Sequence, residues 1–182
     1  METYTNAKKL VEDPGFILNR EQYVQSIRTH QLDLPLRRFI RRFNQIPYAF
    51  TLQCCWGHFK QQVHTEPVEL PKRSNSFKYV LYRIAYIAIC VQNGFEGRRF
   101  LQQLKETASL SPGYIQFGSA QWFWKRQVNS YILQVMPDRF KCHDKILLGY
   151  NEAQRVQECR GEFFTFLNQK IDSELSADYG RI

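Results

Sequence analysis

The sequence predicts an α+β domain, in which a mixed sheet of about four or five strands is covered by helices and closed by a long C-terminal helix. Three observations predict it. Helical and strand-like periodicities alternate along the 182 residues instead of separating into halves. With 43% hydrophobic and 15% aromatic residues the chain can fill a core, which excludes a disordered protein. Its 9 Gly and 7 Pro are too few for a collagen-like or linker-dominated chain. The length suits one domain, expected over residues 19–174, with an N-terminal extension over 1–18 and a flexible tail over 175–182.

In chain order, Asn19 is expected to cap a helix from Arg20 to about Gln31. Asp33 offers a second cap, with Pro35 in the first turn, for a helix reaching about Asn44. There Leu36, Phe39, Ile40 and Phe43 recur at helical spacing, while Arg37, Arg38, Arg41 and Arg42 occupy the other side. Pro47 ends that helix, and Tyr48 to Cys54 alternates as a strand with Tyr48, Phe50, Leu52 and Cys54 on one side. A loop, Cys55-Trp56-Gly57-His58, follows. Residues 61–76, punctuated by Pro67 and Pro71, read as an excursion with at most a short strand around Val63.

Tyr79 to Val91 satisfies neither period cleanly and could be a helix, but a buried strand is favoured because the turn residues Gln92-Asn93-Gly94 close it. Phe95 to Ser109 makes a helix with Phe100, Leu101, Leu104 and Ala108 inward. Tyr114 to Trp124 and Val128 to Val135 read as a hairpin joined by Lys125-Arg126-Gln127. A connector through Cys142 and His143 leads to a helix from about Asn151 to Glu174, whose stripe runs through Val156, Cys159, Phe163, Phe166 or Leu167, and Lys170 or Ile171. Gly161 weakens it by roughly 1 kcal/mol relative to Ala, which suggests close packing against a neighbour.

No apolar run approaches the roughly 18 residues that cross a bilayer. The N-terminal residues lack the apolar core of a secretory signal, so the cytoplasm is the expected compartment and the five Cys are expected as free thiols. The formal charge of +8 favours anionic partners, nucleic acid first. The most informative charge feature is the stretch from Leu34 to Thr65, which carries no acid to neutralise the helix arginines. Arg forks suit phosphate and aromatic faces suit unstacked bases, so Arg37, Arg38, Arg41 and Arg42 are the expected nucleic-acid-binding residues. The alternative for that helix is an ordinary solvated face, and for Trp56, Trp122 and Trp124 a place in the core.

The densest chemical constellation is Cys54-Cys55-Trp56-Gly57-His58. Cys55 and His58 are the candidate catalytic residues, as thiolate and base. Read instead as two metal ligands they lack the C-x2-C and H-x3-H spacings of structural zinc, so no metal is expected. The glycines at 94, 97, 113 and 118 form no phosphate-loop pattern and read as turns and bulges.

The stretch from Gln22 to His58 resembles the opening of the wybutosine-synthesising tRNA methyltransferase family: two helices, then a short strand entering a loop of the form S-S-C-S-G-R. Cys55 and Gly57 match that loop, while Cys54, Trp56 and His58 stand in place of its Ser, Ser and Arg. The strand Ile84 to Val91 with the helix Phe95 to Ala108, and Val135-Met136-Pro137 before a long terminal helix, resemble its central and closing parts. The resemblance implies a mixed α/β fold, S-adenosylmethionine as methyl donor held by the loop Cys54, Cys55, Trp56 and Gly57, and a modified guanosine in tRNA as substrate. The expected function is therefore binding of RNA, tRNA above all, or another polyanion, extended by the resemblance to a divergent tRNA-modifying methyltransferase. The alternatives are a protein-interaction or homo-oligomeric module, and a small thiol or metal enzyme using Cys55 and His58.

Overall fold

A computed structural model describes residues 4–60, 70 and 78–179, with side chains through 176. Two antiparallel sheets share the chain. The larger has five strands and the smaller three. In the larger, β2 (Ala49–Cys55) and β7 (Ser130–Val135) flank the central β5 (Ala85–Val91). Beyond β7 come β6 (Ile115–Ala120) and the edge strand β1 (Tyr4–Thr5). The smaller sheet is β3 (His58–Lys60), β4 (Tyr79–Arg83) and β8 (Lys145–Gly149). With five α-helices interspersed, this is the expected α+β class, although every strand pair is antiparallel.

Alternation along β5 gives the large sheet two faces. Ala85, Ile87, Ile89 and Val91 face the main core, where α2 (Leu36–Phe43), α3 (Phe95–Glu106) and α5 (Tyr150–Tyr179) pack. Leu36, Phe39, Ile40 and Phe43 are buried there, as the helical spacing expects. So is the α5 stripe of Val156, Cys159 and Phe163, which continues through Leu167 and Ile171 and not through Phe166 and Lys170. On the opposite face α1 (Phe16–Ser26) places Phe16 against Phe50 and Cys90, and α4 (Gln121–Arg126) places Phe123 against Ala88, Ala120 and Ile132.

Several elements differ from expectation for local physical reasons. The first helix starts at Phe16 and ends at Ser26, so Asn19 lies inside it and not at its cap; residues Thr29–Gln31 form a separate 3-10 turn. Asp33 does not cap α2, because its carboxylate is bonded elsewhere. The alternation of β2 is broken by a bulge between Thr51 and Gln53, which sets Cys54 opposite Ile87 on the core side. Tyr79 to Val91 is two strands in two sheets: Ile84 is the joint, and Arg83 is the one charged residue in that run. The hairpin is not one, since α4 stands between β6 and β7, which nevertheless pair as neighbours.

The connector after Pro137 contains β8, and α5 runs past 174 to Tyr179. The segment expected as an extension supplies β1 and, through Val11, two hydrogen bonds with the Asn129 side chain. Gly161 is exposed with nothing within 4 Å of a would-be Cβ, so close packing does not explain it. The expected short strand around Val63 lies outside the described residues. All five cysteines are free thiols. Among the described residues no helix is long and apolar enough to cross a membrane.

Candidate functional site

The chain passes from the large sheet to the small one at Trp56-Gly57 and from the small sheet back to the large one at Ile84, and these two crossings touch. Gly57 adopts φ +89°, and a Cβ there would lie 2.8 Å from the Ala85 Cβ and 2.9 Å from its backbone nitrogen. Only a residue without a side chain fits such a backbone at such a separation. The resulting turn aims its peptide groups at the side chains around it. The Trp56 N–H donates to Asp33 Oδ2 at 2.9 Å, and His58 Nε2 lies 3.2 Å from the same oxygen. Thus Cys55 and His58, the two candidate catalytic residues, do come together, and Asp33 joins them: one ligand-type atom from each lies within 4.8 Å of the others.

Beneath the turn, Arg160 of α5 donates to the Gly57 carbonyl at 2.8 Å while its guanidinium lies 5.2 Å from the Trp56 ring and 5.4 Å from the Phe59 ring. Trp56 is stacked on Phe164 at 4.4 Å, so it belongs to the packing of α5 and not to an open surface. Burial pushes the Cys55 thiol up and the Asp33 charge adds to it, while the Gly57 backbone, Arg83 and Arg160 pull against that. Cys54, with burial first and the Asp33 charge second, is pushed up to about 12. Cys54 is therefore a protonated structural thiol at neutral pH.

Beside this turn a cavity of about 560 Å³ opens on the face of the large sheet left between β1, α4 and the connector before β8. Tyr4, Tyr86 and Trp122 give it aromatic walls; Arg83 and Lys141 give it cationic groups and His143 an imidazole, with Asp144 the one carboxylate. Trp122 is 56% exposed and carries Arg126 over its ring at 5.1 Å. The cavity and the Cys55–His58 turn are contiguous through the ladders: Cys55 pairs with Tyr86 in the large sheet and His58 with Arg83 in the small one. Sequence reading singled out Trp122 and the Cys142-His143 pair without joining them. Arg83, Tyr86 and Asp33 were missed, and the lone charge of Arg83 inside an apolar run was the available signal.

The arginine helix does not line that cavity. Arg37 turns back to donate to the carbonyls of Leu32 and His30, at 3.1 and 2.9 Å. Arg42 is ion-paired with Asp172 of α5. Arg38 and Arg41 are exposed, with the Arg41 Nε on the Arg37 carbonyl at 3.2 Å. The four expected nucleic-acid-binding residues thus divide into two committed to the fold and two facing solvent. Trp124 packs edge-on against Tyr131 at 6.1 Å, leaving Trp122 as the exposed indole.

No family model and no curated protein matches the chain. Among solved structures it is similar to the PH1069 protein from Pyrococcus horikoshii, with 12% identity, a TM-score of 0.46 and coverage of 90% of this chain and 95% of that one. It is also similar to a hypothetical protein from Aeropyrum pernix, with 12% identity, a TM-score of 0.38 and coverage of 77% of this chain and 98% of that one.

Proposed function

We propose that this protein binds RNA and seats one unpaired nucleotide in the cavity beside the Cys55–His58 turn. The observation that carries the reading is the composition of that cavity, in which Tyr4, Tyr86 and Trp122 stand with Arg83, Lys141 and His143 around about 560 Å³. Binding sites for small ligands span roughly 300–1,000 Å³, which a nucleotide falls within. Stacking of a base on an aromatic side chain contributes about 1–3 kcal/mol and tolerates any base, while guanidinium and ammonium groups hold phosphate. The exposed Arg38, Arg41 and Arg126 and a formal charge of +8 supply the longer-range attraction.

The test is fluorescence anisotropy of a labelled single-stranded RNA against the purified protein over a salt series. Binding that weakens steeply with salt, and that W122A lowers by about 5–100-fold, is the expected result, following from the loss of one stacked base. An affinity indifferent to both salt and W122A removes the reading. S-adenosylmethionine, the donor implied by the resemblance to the wybutosine-synthesising family, belongs in the same series as a thermal-shift ligand. Stabilisation that W122A or R83A abolishes would extend the reading to a methyltransferase.

A further inference from the structure

We infer that Asp33, Cys55 and His58 form a divalent metal site of the zinc type, with one oxygen, one sulfur and one nitrogen ligand and a fourth position open to solvent. The sequence pairs Cys55 with His58, which flank the turn between β2 and β3, but nothing in its pattern joins Asp33, which precedes α2, to them. The fold brings their ligand atoms within 4.8 Å of one another, and His58 Nε2 and Asp33 Oδ2 are already 3.2 Å apart. Zinc bonds of about 2.0–2.3 Å in tetrahedral array put ligand atoms roughly 3.3–3.8 Å apart, so the cluster needs to contract by about 1.5 Å at most.

Three further observations support an ion here. The ligand set is charge-balanced: a thiolate and a carboxylate offset a divalent cation, and the imidazole binds neutral. Part of the second layer of the site is in place, because the Trp56 N–H holds the Asp33 carboxylate at 2.9 Å. Such outer bonds orient ligands and stabilise their anionic forms. Finally, the site is not sealed: the side chains of His58 and Asp33 are 22% and 29% exposed, which leaves an entry path and a place for water. A soft sulfur with imidazole and carboxylate selects zinc over magnesium or calcium, which prefer oxygen alone.

The experiment uses the full chain, stripped with a chelator and titrated with Co²⁺ as a spectroscopic stand-in for Zn²⁺. One equivalent is expected to give a thiolate-to-cobalt charge-transfer band in the near ultraviolet together with the strong visible bands of a four-coordinate ion. In C55S the charge-transfer band should vanish, and D33N and H58Q should each weaken binding by at least about 100-fold, more than the 10–100-fold typical of changes outside the ligands. X-ray absorption on the unmutated protein with Zn²⁺ needs no variant to fold, and should show one sulfur among nitrogen and oxygen neighbours. Absence of stoichiometric binding, a shell without sulfur, or spectra that C55S leaves unchanged would overturn the assignment. None of these readouts requires RNA.

Discussion

Replacing Gly57 by Ala tests how the fold builds its candidate site. The backbone there has φ +89°, where an L side chain is strained by about 1–2 kcal/mol. The new Cβ would stand 2.8 Å from the Ala85 Cβ, 2.9 Å from its nitrogen and 3.0 Å from the Tyr82 hydroxyl. None of these is the free end of a flexible chain. Tyr82 is fully buried, and its hydroxyl accepts from the Ala85 N–H at 2.8 Å and donates to the Val135 carbonyl at 3.0 Å. Relief of the clash must move the start of β5 or break that relay, and a buried polar group left unpaired costs about 1–3 kcal/mol. The sum is a loss of about 2–5 kcal/mol, read by urea denaturation as a lower midpoint at unchanged slope. A change under about 0.5 kcal/mol would refute the reasoning, because it would mean that the two sheet crossings do not touch as described.

Three further outcomes are expected. G161A, at an exposed helix position with nothing within 4 Å, should stabilise the protein by up to about 1 kcal/mol in the same assay. Cys54 ionises near 9 when unfolded and near 12 when folded, so its stabilising contribution is complete below pH 9 and is lost as pH rises towards 12. C54A should therefore show a shallower alkaline loss than the unmutated protein, by up to about 1.4 kcal/mol per pH unit in that window, measured by denaturant midpoints against pH. Neutralising Arg38 and Arg41 together should reduce the salt dependence of RNA binding, whereas R42A, which removes a half-exposed ion pair with Asp172, should cost about 0–1 kcal/mol of stability and leave that dependence nearly unchanged.

The apolar periodicities of α2, α3 and α5 were legible because each is decided by burial of one face; Ala108 is the exception, since α3 ends at Glu106 and Thr107 is buried in its place. What local pattern cannot register is a partner far along the chain. Asp33 has the composition and position of a helix cap, yet Trp56 and His58 take its carboxylate. The acid-free stretch from Leu34 to Thr65 correctly describes the local chain, but Asp172 neutralises Arg42 from α5. Tyr79 to Val91 reads as one apolar strand, because a one-residue joint between two sheets alters neither composition nor period; only Arg83 betrays it. The Trp122 run reads as strand because its aromatics are β-formers, whereas in the fold they turn through a six-residue helix that leaves one indole at the cavity. The turn at Cys54 to His58 was found by its residue types, while the cavity beside it is assembled from β1, β2, β4 to β7, α4 and the connector, and no segment announces it.

Ultraviolet cross-linking of a bound single-stranded RNA, with the linked peptides mapped by mass spectrometry, asks most directly where the nucleotide sits. The account predicts covalent adducts at the cavity walls, on Tyr4, Tyr86, Trp122 or Cys142. Adducts confined to the far side of the sheet, or to the peptide carrying Arg37 to Arg42 with none at the cavity, would contradict it.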